Sequence, residues 1–453
     1  MVLGIVFGSF VLFALAILWN PANILALAIT VYSFEQYAQA NSTFFGAHAS
    51  LINICFGVLT LWALICVTLR GGNPLQPMTH AMWAYLALFI FAAISTLWAV
   101  DRTTAMFVFK FHLPYIATFS VLLPLVIQRP QDVEKGFIST LAFGTFVCAL
   151  LLLTTRVHAW GRTIEAVGGG VIDRLGEQRN RLSPLAVAEM CGQLLIIAVL
   201  MNFSGVNRIW QILRWVVSFL AFALIYRSGS RGQLIAAMLT IIMLITFSRG
   251  AKKATGWVAA AVTTFLVVGF AVFSFSGFAD HTERWAMSDM QGDFANTRID
   301  YVSRLLTYWM ESSPFNWLFG LGNSSSFDER IIGRYCHVLV AEVMGELGFF
   351  GMALFLTLVV FVARDCLRAY QLTKDKQVER GVTVTLIGLC IYQGILTFKQ
   401  GSLLNNYVTF GVLLIMARHA AVTQAAVAKE KKAALQRRWY EYYMKYGNQA
   451  IAP

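Results

Sequence analysis

The chain has 453 residues, of which 58% are hydrophobic and only 13% charged, with a formal net charge of +12. An average soluble domain is about 25% charged, so this balance excludes a soluble globular protein and indicates a polytopic membrane protein. Much of the positive charge sits in short loops and the tail, where positive-inside topology accounts for it, so no nucleic-acid partner is implied.

Apolar runs lie at about 2–33, 49–69, 80–100, 113–128, 137–154, 184–202, 210–226, 231–247, 257–276, 337–363, 380–397 and 403–418. A helix needs about 20 mainly apolar residues to cross a hydrocarbon core of about 30 Å. Backbone groups in lipid must bond within their own element, which makes these spans helices. The expected fold is therefore an all-α polytopic membrane protein of about twelve transmembrane helices. Residues 1–276 hold helices 1–9, 277–336 form one long loop on the outer side containing short helices, 337–418 hold helices 10–12, and 419–453 form a basic cytoplasmic tail. The first run is too long for one upright helix, and Pro21 kinks or splits it. Two crossings there would raise the count to thirteen and move the N-terminus outside. Met1–Asn20 has no lysine or arginine and no small-residue cleavage site after it, so it reads as retained rather than as a signal peptide.

Basic clusters fix the orientation. Arg249, Lys252 and Lys253 mark one loop, Arg364 to Arg380 another, and Lys429 to Lys445 the tail; alternation puts all three on one side, the cytoplasmic side. The segments 34–48, 155–183, 277–336 and 398–402 then face out. The 155–183 loop carries Arg156, Arg162, Arg174, Arg179 and Arg181 around Gly168–Gly170, which suits a solvated loop or an anion-binding lid. In the R-S-G-S-R-G stretch at 227–232, Arg227 and Arg231 share a face if helical. An arginine inside a span costs about 2.5–3.5 kcal/mol, so it needs a partner or a wet cavity, unless it snorkels from a helix end.

The long loop is the least typical stretch. It holds five arginines (Arg284, Arg298, Arg304, Arg330, Arg334), no lysine and eight acids, a net of −3 that agrees with an outward face. A guanidinium fork matches phosphate oxygens in a way an ammonium does not. Residues 296–312 read as a helix, ended by Pro314 and the Gly-Leu-Gly-Asn turn; Arg298 and Arg304, six apart, then face different ways. His337 follows where the polar loop meets the next span, with Ala341, Gly345 and Gly348 on its helical stripe. Small residues there permit close helix packing. Glu342 and Glu346 point elsewhere on the wheel. A histidine at the membrane edge beside arginines is a candidate proton acceptor near an anion. Cys336 is a poor partner for it, since adjacent helical residues diverge by about 100°. The seven cysteines lie mostly in or beside apolar runs, with no CxxC or zinc spacing, and imply neither disulfides nor a metal. Residues 424–446 read as a basic, tyrosine-rich helix on the cytoplasmic surface, and no internal repeat is evident.

This layout resembles the bacterial O-antigen ligase family, within the larger group of O-antigen ligases, polymerases and protein O-oligosaccharyltransferases. The resemblance covers the whole arrangement of spans and late loop. It is sharpest at S-G-S-R-G (228–232), Arg298…Trp309…Pro314…Gly320-Leu-Gly322, and His337…Glu346-x-Gly348-x-x-Gly351. The family's histidine is often followed by a polar residue, whereas Val338 stands here. The resemblance implies transfer of a glycan from undecaprenyl pyrophosphate to a sugar hydroxyl of lipid A-core, on the periplasmic face of the bacterial inner membrane. His337 is then the general base, and Arg231, Arg298, Arg227, Arg304 and Arg181 are the candidate pyrophosphate ligands. Direct displacement would invert the anomeric carbon, and no cofactor or metal is called for, although Asp328-Glu329 is the one acidic pair to watch. Besides its donor and acceptor, the protein's expected surroundings are membrane lipids. A polymerase shares this chemistry. A transporter or flippase would favour repeated halves and midplane charges instead.

Overall fold

The computed structural model describes residues 1–48, 50–154, 181–203, 207–249 and 293–446, with two-residue strands at 164–165, 171–172 and 178–179. Side chains are described outside 164–182, 293–297 and 444–446. The apolar run at 257–276, Arg284 and most of the arginine-rich 155–183 loop fall outside the described residues.

The protein is an all-α polytopic membrane protein. Among the described residues, ten helices are long and apolar enough to cross a bilayer, and Pro184–Leu200 is a shorter apolar helix. The first apolar run divides at Pro21 into α1 (Val2–Trp19) and α2 (Ile24–Asn41). Proline has no N–H to continue α1, and a 3-10 turn takes over, with Ala22 N–H donating to the Asn20 side chain at 3.1 Å. Ring contacts Phe10–Phe34 and Phe7–Phe45 set the start of α1 beside the end of α2, so the chain reverses here. α2 carries Glu35 and several other polar residues and is not among the ten apolar helices. It also extends into the 34–48 segment expected to be loop, followed by a short helix, Thr43–Ala47.

The chain continues through α3 (Leu51–Leu69) and α4 (His80–Ser95) to α5 (Arg102–Leu125). α5 starts well before the apolar run at 113 because Asp101 caps it, accepting from the N–H groups of Thr103 and Thr104 at 3.0 and 3.1 Å. Pro114 lies inside it, and a π turn over Ile116–Leu122 follows that break. After α6 (Pro130–Thr154), β1 (Ile164–Glu165) pairs antiparallel with β4 (Arg181–Leu182), and β2 (Val171–Ile172) with β3 (Gln178–Arg179). Then come α7 (Pro184–Leu200), α8 (Arg208–Ser228) and α9 (Arg231–Arg249). The late loop supplies α10 (Asp293–Met310) and α11 (Pro314–Phe319). The last spans are α12 (Leu339–Thr373), α13 (Gln377–Thr397) and α14 (Tyr407–Tyr446).

Two boundaries differ from the sequence expectation. α14 runs unbroken from the membrane into the tail, so span and tail are one helix. Nor does the packed part stop at 418. Arg418 is fully buried, donating to the carbonyls of Ile127 (3.0 Å), Pro74 (3.0 Å), Gln76 (2.6 Å) and Pro77. His419 beside it is 1% exposed and bonded to Thr383, and continuous exposure begins near Gln424. Arg418 thus ties the 74–77 turn to the bundle at one end. α4 starts just after that turn and ends beside Asn323, so the late loop lies at the opposite end.

Candidate functional site

The late loop is seated on the start of α12 by a buried carboxylate. Glu346, 1% exposed, accepts from Ser324 N–H (2.6 Å), Ser326 N–H (3.0 Å) and the Ser326 hydroxyl (2.6 Å). Leu321 and Gly322 N–H donate to the Gly345 and Glu346 carbonyls at 3.0 and 2.9 Å. Two glycines make that approach possible. Gly348 interrupts the helix at φ 66°, ψ −165°, a conformation open essentially to glycine alone, and a Cβ there would lie 2.5 Å from Gly320 N. Gly320 itself has φ 80°, and its Cβ would meet the Glu346 carbonyl oxygen at 2.1 Å. From the other side, Trp98 donates to the Gly320 carbonyl (3.2 Å), while Asn323 N–H donates to Ser95 Oγ (3.0 Å). Trp309 fixes the α10–α11 corner by donating to Asn316 O at 2.8 Å. The Trp309, Pro314, Gly320, Gly322, Glu346 and Gly348 positions are therefore the mount of the loop rather than its chemistry.

What the mount presents is His337. The histidine is not on the helix, as the stripe argument assumed: α12 begins at Leu339 with Val338 as an extended N-cap, and His337 has φ +66°. A non-glycine residue at positive φ costs of order 1–3 kcal/mol, and such strain clusters at functional sites. The Ala341–Gly345–Gly348 stripe does serve close packing, but for α10 and the loop: a Cβ at Gly345 would meet Leu305 at 2.7 Å. The imidazole lies against Tyr335 (centroids 4.0 Å apart) and stacks on Tyr301 (6.1 Å, 17°). The Arg334 guanidinium lies 5.7 Å from the Tyr301 ring centroid. Burial lowers the His337 pKa below its ordinary value, and the charges of Arg298 and Arg334 lower it further. The imidazole is therefore neutral at neutral pH, the state a general base requires. Burial, more than the nearby Glu342 charge, pushes the Cys336 thiol up to about 12, so it supplies no thiolate.

The arginines separate into groups. Arg298 joins His337, as does Arg334, which was one of the five loop arginines but not a chosen pyrophosphate ligand. Arg304 does not: it is exposed and ion-paired to Asp300 at 3.0 Å. Arg227 closes α8 and Arg231 opens α9. Two residues beyond Arg231, Gln233 accepts from Lys399 (2.7 Å) and donates to Gln400 (3.0 Å), which tie α9 to the segment just after α13. Arg181 lies in β4 with its backbone opposite Glu165; its side chain is outside the described set. Tyr301 and Tyr335 were not foreseen as ring contacts, although Tyr301 follows Arg298 by three residues on one helical face.

Tyr335 also borders a cavity of about 240 Å3 among α2, α7 and the start of α14, lined by Tyr32, Glu189, Gln193, Gln400, Asn406 and Tyr407 among others. Glu189 accepts from Gln393 (2.9 Å) and Gln400 (3.1 Å), which continues the polar chain from Gln233. Two amide atoms on the wall, Gln193 Oε1 and Asn406 Nδ2, are buried and have no partner. They offer one acceptor and one donor to an occupant. Neither helix carboxylate serves His337: Glu346 holds the serine loop, and Glu342 accepts from Leu403 N–H at 2.7 Å. Asp328 is engaged by Arg330 at 2.8 and 2.9 Å, and those bonds hold its carboxyl below the usual range. Among the described residues, no group of three or more His, Cys, Asp or Glu side chains could hold a metal ion. No protein-family model matches the chain, and no curated protein matches it.

Proposed function

We propose that the protein is an inverting glycosyltransferase of the O-antigen ligase kind, moving a glycan from undecaprenyl pyrophosphate to a sugar hydroxyl of lipid A-core. The observation that carries the reading is a neutral, half-buried imidazole under the charges of Arg298 and Arg334, held against two tyrosines, one of which, Tyr335, also borders a polar cavity. In this scheme the guanidinium forks of Arg298 and Arg334 take the diphosphate oxygens, with Arg231 contributing from the start of α9. The acceptor oxygen attacks the anomeric carbon, and its proton passes to the His337 ring. The bond from that carbon to the diphosphate oxygen breaks, and the electron pair leaves with polyprenyl diphosphate. Negative charge grows on the leaving oxygen, where cations already in place favour the transition state. The polar cavity beside Tyr335 would take a sugar ring, whose hydroxyls both donate and accept. On this reading the His337 end faces the periplasm.

Turnover by purified protein, given lipid-linked glycan and lipid A-core, is the test. Wild type should transfer, also in excess chelator, while His337→Ala should insert normally and lose transfer by at least a hundredfold, the general-base contribution. Full activity in His337→Ala removes the imidazole from the reaction, and a strict need for added divalent ion contradicts the arginine scheme. Product analysis separates ligation from polymerisation: a glycan joined to core sugar supports the proposal, and glycan units joined only to each other refute it.

A further inference from the structure

The opposite end of the bundle holds a second polar cavity. It occupies about 400 Å3 where the turns after α1, α3 and α5 meet, and its wall includes Trp19, Asn20, Arg70, Arg129, Asp132 and Lys135. Three cations face one acid there, and that acid is already committed: Asp132 Oδ2 accepts from the N–H groups of Gln128 and Arg129 at 2.9 and 2.8 Å. Asn20 adds a donor, since its Nδ2 is buried and has no partner while its Oδ1 accepts from Ala22. The wall thus offers charge and donors for an anion with several acceptor oxygens. Phosphate oxygens fit that need better than a carboxylate, because three cations and an amide converge on one space.

The surroundings favour a lipid as the source of the phosphate. Trp19 is 87% exposed at the end of α1, where an indole suits the headgroup level. Beside it, Leu15, Leu18 and Leu69 are 58%, 50% and 77% exposed, an apolar surface on α1 and α3 that acyl chains would cover. Basic pockets between spans at this level are suited to anionic headgroups. We infer that the cavity between the α1, α3 and α5 turns binds the phosphate headgroup of an anionic phospholipid in the leaflet opposite His337. The site is independent of the transfer reaction proposed above and stands or falls without it.

Native mass spectrometry of the full-length protein, equilibrated with phosphatidylglycerol or phosphatidylcholine, tests this. Phosphatidylglycerol should be retained at least tenfold better. Arg129→Gln and Lys135→Gln should each weaken retention about fivefold, the effect of one cation near an anionic surface. Arg70 also donates to the Leu18 carbonyl, so Arg70→Gln risks disturbing the fold and is not the deciding variant. Arg208→Gln, an exposed cation at the start of α8, should change nothing. Equal retention of the two lipids, or wild-type retention in both Arg129→Gln and Lys135→Gln, overturns the site. Displacement of bound lipid by millimolar inorganic phosphate overturns the lipid assignment in favour of a soluble phosphate; no displacement supports it.

Discussion

Replacing Glu346 by alanine removes the carboxylate that seats the late loop. Two backbone donors, Ser324 N–H and Ser326 N–H, lose their acceptor, and both residues are at most 5% exposed. A buried donor left without a partner costs about 1–3 kcal/mol, so the pair costs roughly 2–6 kcal/mol before the serine hydroxyl is counted. Glu346→Gln is milder. Its amide oxygen can keep the Ser326 pair at the Oε1 position, while its NH2 would face the Ser324 N–H, a clash of donors worth about 2 kcal/mol. The loss is local, so hydrogen exchange is the assay. Local opening made about 3 kcal/mol easier speeds amide exchange roughly a hundredfold. Exchange in Ser324–Asp328 should rise in the order wild type, Glu346→Gln, Glu346→Ala, while α13 amides stay protected. Unchanged protection of Ser324–Asp328 in Glu346→Ala would refute the idea that this carboxylate mounts the loop.

Arg418→Met should lower thermal stability sharply, by about 3–5 kcal/mol, because three carbonyls of the 74–77 turn and that of Ile127 lose a buried donor; a melt within one degree of wild type would contradict that role. Transfer should fall with decreasing pH as His337 protonates, with an inflection below the ordinary histidine value. Arg298→Gln removes one of the charges that depress that pKa, so the inflection should move upward; a fixed inflection would separate Arg298 from the ring. Arg304→Ala should leave transfer within twofold of wild type, since its fork is held by Asp300 in solvent.

Ten of the expected spans were legible because apolar length is enough to mark them, and the division at Pro21 follows from a missing N–H. The start of α5 was not, because it is set by Asp101 capping polar residues ahead of the apolar run. The boundary at 418 misled for a related reason: an arginine in a sequence reads as exposed, whereas Arg418 finds four carbonyls from turns far away in the chain. At the site, His337 stood out as a polar residue at a membrane edge. Its positive φ and its tyrosine neighbours depend on how Glu346 and Gly348 seat the loop, a tertiary fact without a local signal. The same mount explains why Gly320-Leu-Gly322 and Glu346-x-Gly348 stand out as motifs although they touch no reacting group.

The central claim is that guanidinium forks beside the imidazole grip a diphosphate. Titrating polyprenyl diphosphate into the detergent-solubilised protein, while following the His337 ring by histidine-selective NMR, measures grip and neighbour together. Binding should raise the His337 pKa, as the anion offsets Arg298 and Arg334, and the double variant Arg298→Gln, Arg334→Gln should bind at least tenfold more weakly. Unaltered affinity in that variant, with a His337 signal indifferent to the diphosphate, would contradict the account.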